Sequence, residues 1–214
     1  MDAIAHPSPN FGPRRDGLTP EFIVLHYTAM ESAAAALERL CDPEPEVSAH
    51  YLIAGDGTLY QLVDEAERAW HAGQGSWCGL DDMNSRSIGI ELDNRGDHPF
   101  SHPQMCTLEA LLSGIMQRWS IAPSAVIGHS DMAPGRKVDP GKHFDWQRLA
   151  RLGLAAATRA VAVSEVSVES FRDAAGAAGY SAEASDDALL EAVRLRNRPY
   201  GSGPLTSKDY TFPT

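Results

Sequence analysis

Between Gly128 and Gly141 the chain reads GHSDMAPGRKVDPG, which sets His129, Asp131, Arg136, Lys137 and Asp139 among two prolines and three glycines. Such a stretch reads as neither helix nor good strand, so its titratable groups belong either to a solvated loop or to a site. A second histidine, His26, closes the apolar run FIVLHYT at 22–28. Two imidazoles and the Asp139 carboxylate would make the donor set of a catalytic zinc centre, with the fourth position left to water. Other divalent ions accept the same donors. The competing reading is two packed or hydrogen-bonded histidines, which is the commoner role of the residue. The three groups lie on separate segments, so spacing alone does not choose between these readings.

Two further residues suit that chemistry. In SIGIELDN, 87–94, a strand would put Gly89, Glu91 and Asp93 on one face and Ile88, Ile90 and Leu92 on the other. Glu91 then faces solvent or a cleft; in a cleft it could take a proton from an attacking water and pass it to a leaving amine. Lys137 precedes Asp139 by two positions, which in extended chain puts both on one side. Its ammonium could stabilise an oxyanion there, or it is a solvated loop lysine.

These residues need elements to hold them. FIVLHYT is apolar and β-branched and reads as a buried strand. Ala33 to Leu40 reads as a short helix stopped by CDPEPE. AHYLIAGDGTLYQLV reads as a hairpin turning at Asp56-Gly57. RAWHAGQGSWCGLDDMNSR is rich in glycine and aromatics and reads as an irregular surface loop. After the SIGIELDN strand, Pro103 suits a first helical turn, and Met105, Leu108, Leu112, Ile115 and Trp119 recur at helical spacing. Ser124 to Gly128 reads as a short strand delivering His129, and DWQRLARLGLAAATRAVA as the last helix of the main domain. Composition shifts near residue 164. The expected organisation is a domain over 1–163 and a short tail over 164–214 with two helices and an irregular end. Strands with helices between them indicate an α/β fold: a mixed central β-sheet flanked by helices, with a small helical C-terminal appendage.

Bulk properties bound the function. The 214 residues carry a net charge of −11. That disfavours nucleic acid, whose phosphates call for a basic face, and an anionic membrane surface. No apolar run has the length of a membrane span. Cys41, Cys78 and Cys106 are odd in number and lack CxxC spacing, as expected of unpaired thiols in a reducing compartment. The N-terminus MDAIAHPSPNFGPRRDG has no basic start followed by an apolar core, so the expected location is cytoplasmic.

Five motifs in order, HYTAM at 26–30, SAHYLI at 48–53, AWHAG at 69–73, SIGIELDN at 87–94 and GHSDMAPGRKVDPG at 128–141, closely resemble the zinc-dependent N-acetylmuramoyl-L-alanine amidases of type 2. These share a fold with bacteriophage amidase-type lysozymes and animal peptidoglycan recognition proteins, and the likeness is to the bacterial anhydromuropeptide amidases among them. It covers roughly residues 5–155. The resemblance implies that His26, His129 and Asp139 bind Zn2+, that Glu91 is the acid/base and that Lys137 stabilises the oxyanion. Some relatives have a tyrosine at the position of Ala49, so Glu91 keeps the acid/base role here. His50, Trp70, His71 and Asn84 match motifs bordering the substrate groove, with core packing the alternative for Trp70. Recycling relatives often carry a basic residue at the position of Asp82, which leaves Arg86 as a nearby candidate.

The implied reaction is hydrolysis of the amide between N-acetylmuramic acid, in its 1,6-anhydro form, and L-alanine of the stem peptide, during recycling of wall fragments. The alternatives are an exported amidase on intact wall and a muropeptide-binding protein without catalysis. The implied partner is a muropeptide, with no nucleic acid and no membrane insertion; oligomeric state stays open. The tail faintly resembles a small helical peptidoglycan-binding module through GY at 179–180 and AVRLRNRP at 192–199. It is either a degenerate module packed on the main domain or a binding one.

Overall fold

The structure, a computed structural model, describes residues 3–181 and 183–213. In chain order the elements are β1 (Ile4–Ala5), β2 (Phe11–Gly12), β3 (Phe22–Tyr27), α1 (Ala33–Cys41), β4 (Tyr51–Ile53), β5 (Leu59–Gln61), β6 (Arg68–Ala69), α2 (Met83–Arg86), β7 (Ser87–Leu92), α3 (His102–Trp119), β8 (Val126–Gly128), α4 (His129–Met132), α5 (Trp146–Arg151), β9 (Thr158–Ala160), α6 (Val168–Ala177), α7 (Asp186–Asn197) and β10 (Thr211–Pro213). Among the described residues, six strands form a sheet in the order β1-β5-β4-β7-β3-β8. β4, β7, β3 and β8 run parallel, while β5 turns back on β4 through the Asp56-Gly57 turn, where Gly57 has φ +91. The expected mixed sheet with flanking helices is the fold observed. No described helix is long and apolar enough to cross a membrane.

Alternation along the strands decides which face does what. Ile23 and Leu25 of β3 and Ile88, Ile90 and Leu92 of β7 pack with Leu108, Leu112 and Ile115 of α3 in one core. That helix starts where Ser101 accepts the N–H of Gln104, and it ends at Ser120, whose φ is +56. Phe22 and Val24 point to the other face and join Ile127, Met132 and the tail residues Phe171, Ala175, Leu189, Ala192 and Val193 in a second core. One face of the sheet is thus closed by α3. The other is covered in part by the tail and in part left to the site.

Three sequence expectations change. The GHSDMAPGRKVDPG stretch was expected to hold no helix, yet it opens with one turn, α4. The Asp131 carboxylate accepts the backbone N–H of Gly128 at 2.8 Å and so supplies the cap that lets four residues coil. The helix expected from Asp145 to Ala162 stops at Arg151: Gly153 takes φ +70 and Leu154 N–H returns to the Leu149 carbonyl at 2.9 Å. The chain beyond becomes β9, which pairs antiparallel with β10 at the far end of the tail. The 68–86 stretch, expected as an irregular surface loop, opens with β6 and closes with α2, and Ala72, Trp77 and Met83 within it are buried in the second core.

Candidate metal centre

β3 and β7 lie side by side in parallel with Phe22 opposite Ser87, Val24 opposite Gly89 and His26 opposite Glu91. The two-residue period puts His26, Glu91, Gly89 and Ser87 on the face away from α3. β8 flanks β3 on its other side and ends at Gly128, so His129 follows immediately. Asp139 is brought back to it by a hydrogen bond from Ser130 N–H to the Asp139 carbonyl, 2.9 Å. All three groups sit at the C-terminal edge of parallel strands, where open α/β sheets form their clefts.

The three donors converge. His26 Nδ1 lies 2.9 Å from His129 Nδ1 and 2.9 Å from Asp139 Oδ2, and His129 Nδ1 lies 3.0 Å from the same oxygen. The residues are 1, 3 and 7% exposed. Their outer contacts assign the imidazole protons. His129 Nε2 is 2.8 Å from the Ala72 carbonyl, which can only accept, so that nitrogen carries the hydrogen and Nδ1 keeps its lone pair. For His26 the assignment runs through three residues. The Ser87 hydroxyl donates to the Met83 carbonyl, so Ser87 Oγ accepts from His71 Nε2 at 3.3 Å. His71 Nδ1 therefore accepts from His26 Nε2 at 3.0 Å, and His26 Nδ1 is also a bare lone pair. Two nitrogen lone pairs and a carboxylate oxygen then meet with no proton among them. A divalent cation satisfies that arrangement, and the N/N/O donor set with its backbone-anchored outer partners fits zinc.

Electrostatics agrees. Burial, and after it His129, lowers His26 to about 4, so it stays neutral and ligand-competent at neutral pH. Glu91 differs: burial first and the Asp139 charge second push it up to about 8, against the pull of Lys137. Its Oε2 is buried with no hydrogen-bond partner among the described residues. A carboxyl kept basic and unpaired beside a metal-type donor set is equipped to exchange a proton.

A groove of about 440 Å³ opens over these groups. Trp70, His71, Glu91 and Lys137 line it together with the three donors. Sequence reasoning missed Tyr27, Met30 and Arg39, which also line it; Tyr27 and Met30 lie within the HYTAM motif, whereas nothing in the α1 sequence marks Arg39.

Three expected groove residues do not reach it. His50 is fully buried; its Nδ1 accepts the Gly89 N–H at 3.0 Å and its Nε2 donates to the Glu67 carbonyl at 3.1 Å, so it ties β7 to the neighbouring loop. Asn84 spends its Oδ1 on the N–H groups of His71 and Ala72, at 3.0 and 2.8 Å, which fixes the AWHAG loop. Arg86 pairs with Glu21 and donates to the Asp81 carbonyl, away from the groove. His71 does reach the site, where its ring also contacts a candidate ligand. Gly89 makes room for it: a Cβ there would lie 2.3 Å from the His71 ring.

With the geometry in place, comparison with known proteins gives a consistent result. The Amidase_2 family, described as N-acetylmuramoyl-L-alanine amidase, matches residues 16–142. The N-acetylmuramoyl-L-alanine amidase AmiD of Escherichia coli (strain K12) is 41% identical over 150 residues, 63% of this chain and 53% of that protein; this chain thus spans about half of AmiD. The 1,6-anhydro-N-acetylmuramyl-L-alanine amidase AmpD of Haemophilus influenzae is 33% identical over 159 residues, 66% of this chain and 86% of that protein. Among solved structures, the complex of E. coli AmiD with anhydro-N-acetylmuramic acid-L-Ala-D-gamma-Glu-L-Lys matches with TM-score 0.79 at 31% identity, over 91% of this chain and 89% of that one. AmpDh3 of Pseudomonas aeruginosa matches with TM-score 0.79 at 30% identity, over 95% and 91%.

Proposed function

The chain belongs to the N-acetylmuramoyl-L-alanine amidase family, and we propose that it hydrolyses the amide between the lactyl group of N-acetylmuramic acid and L-alanine, with zinc held by His26, His129 and Asp139. The observation that carries this reading is the meeting of three unprotonated donors beside the unpaired Oε2 of Glu91 at the floor of one groove. When bound, the ion supplies Lewis acidity toward the scissile carbonyl and the attacking water.

This chain's own residues do the rest. Glu91 Oε2 takes a proton from the attacking water and delivers it to the alanine nitrogen as the C–N bond breaks. Lys137 lines the same groove and stabilises the oxyanion. Trp70 offers the groove wall an aromatic face for the sugar or the stem peptide. The buried His26, His129 and Asp139 hold the electrophile in one place, and their Nε2 partners keep both imidazoles in the ligating tautomer.

The proposed substrate is a muropeptide with 1,6-anhydro-N-acetylmuramic acid, and the proposed role is recycling of wall fragments in the cytoplasm. The name of the AmpD relative and the ligand named for the AmiD complex support the anhydro sugar. The test is to incubate the purified chain with anhydromuramyl-tripeptide and, separately, with intact sacculi, and to quantify released peptide. Faster release from the fragment is expected. Release from sacculi at an equal or higher rate would replace the recycling role with action on intact wall, and no release from either would overturn the amidase reading. Cell fractionation tests the location, which recovery outside the cytoplasm would overturn.

A further inference from the structure

The loop that carries His129 and Asp139 is clamped from behind by the tail. Asp131, two residues after His129, is fully buried, and its carboxylate is held from three sides. Oδ2 accepts the Gly128 N–H at 2.8 Å and Arg196 Nη1 at 2.6 Å, while Oδ1 accepts the Tyr180 hydroxyl at 2.9 Å. Gly128 is the last residue of β8, but Tyr180 follows α6 and Arg196 lies on α7. Arg196 also donates to the Val126 carbonyl at 3.3 Å and lies 3.9 Å above the Trp146 ring. Tyr180 stands edge-on to Trp77, with ring centroids 4.9 Å apart. α7 approaches the same loop so closely that a Cβ on Gly135 would lie 2.8 Å from the Ala188 methyl.

These contacts make a buried ion pair with a third partner, arranged so that every oxygen of Asp131 has a donor. Removing one partner of such a pair leaves an uncompensated charge, and the segment holding that charge must move to regain water. Here the segment is the single helical turn that orients His129, tied through Ser130 to Asp139.

We propose that Tyr180 and Arg196 are positioning residues of the metal centre, acting through Asp131 to set His129 and, through Ser130, Asp139. The tail is then a structural part of the site. Its helices spend Tyr180 and Arg196 on the amidase core instead of on a wall polymer. The inference rests on the metal reading of the site.

The experiment measures the zinc dissociation constant of the full chain by competition with a chromophoric chelator, alongside the melting temperature. The variants are Arg196→Met, Tyr180→Phe and Asp209→Asn. Asp209 is a tail-internal control: its carboxylate binds Arg194, Arg198 and Thr206 and does not touch Asp131. Tyr180→Phe removes one hydroxyl and keeps the ring packing, so it remains informative if Arg196→Met does not fold. Weakening of roughly tenfold or more is expected for Arg196→Met, in line with partners behind a ligand elsewhere, a smaller weakening for Tyr180→Phe, and less than twofold for Asp209→Asn at a comparable fall in melting temperature. Constants within twofold of the parent for both Arg196→Met and Tyr180→Phe would overturn the inference. So would an equal weakening in Asp209→Asn, which would make the effect one of tail stability alone. A parent chain that binds no zinc would overturn the metal reading itself, an outcome distinct from either.

Discussion

Replacing Glu91 by glutamine isolates the cost of burying that carboxyl. The group sits at about 8 against an ordinary 4.5, raised by burial and then by Asp139. An acid with a raised folded pKa keeps a proton that the unfolded chain gives up. Its contribution to stability is therefore fully present below about pH 4.5 and is lost progressively as pH rises through about 8. At about 1.4 kcal/mol per unit, the ceiling on that loss is about 5 kcal/mol; water entering beside Oε2 lowers it, so a loss on the order of 2–5 kcal/mol is expected. Glutamine fills the same volume and does not titrate. The assay is urea unfolding of metal-free parent and Glu91→Gln at about pH 5 and about pH 8. The difference in unfolding free energy between the two proteins should shift in favour of the glutamine variant between these values. A divalent ion in the neighbouring donor set favours the carboxylate, so zinc should shrink the shift. Parallel pH profiles for the two metal-free proteins would refute the reasoning, because they would mean that Glu91 titrates as an ordinary exposed acid.

Other expectations follow from single contacts. Ser87→Ala removes the acceptor that fixes the His71 proton; zinc affinity by chelator competition should fall roughly tenfold to a hundredfold, and nitrogen NMR of the metal-free protein should show His26 and His71 populating both tautomers. Gly89→Ala puts a methyl into the His71 ring, and titration should show weakened zinc binding. Leu108→Ala empties a fully buried position in the core under α3; it should cost about 2–5 kcal/mol in denaturant unfolding and leave the zinc constant of the folded protein unchanged, since that core lies on the opposite face of the sheet.

How much of this could be read beforehand follows from where each signal resides. β3, β7 and α3 were legible because a strand or helix with one buried face writes its period into the chain. The same period put Glu91 on the face opposite Ile88, Ile90 and Leu92, whereas the register of β3 with β7 that sets it beside His26 came only with the fold. The single turn α4 was not legible, because its cap comes from Asp131, whose orientation is set by residues some 50 and 65 positions later. The early end of α5 was signalled only by Gly153, and β9 becomes a strand through its partner β10. Among site residues, His26, His129 and Asp139 converge as the motifs implied. His50 and Asn84 stand in the matching motifs, and Arg86 lies near the position where relatives carry a basic residue, but all three are spent on backbone groups or on Glu21. Motif position could not tell them from His71, because the distinction lies in which neighbour each polar atom meets.

The most direct test of the central claim is mass spectrometry of anhydromuramyl-tripeptide after incubation with the purified chain in water enriched in oxygen-18. Hydrolysis of the lactyl amide places one solvent oxygen in the new lactyl carboxylate and none in the released tripeptide. A labelled anhydro-sugar acid and an unlabelled tripeptide are expected, both lost on removing zinc with a chelator and restored on adding it back. An intact substrate with zinc bound, or turnover indifferent to the chelator, would contradict the claim that His26, His129 and Asp139 hold the ion on which this amide is cut.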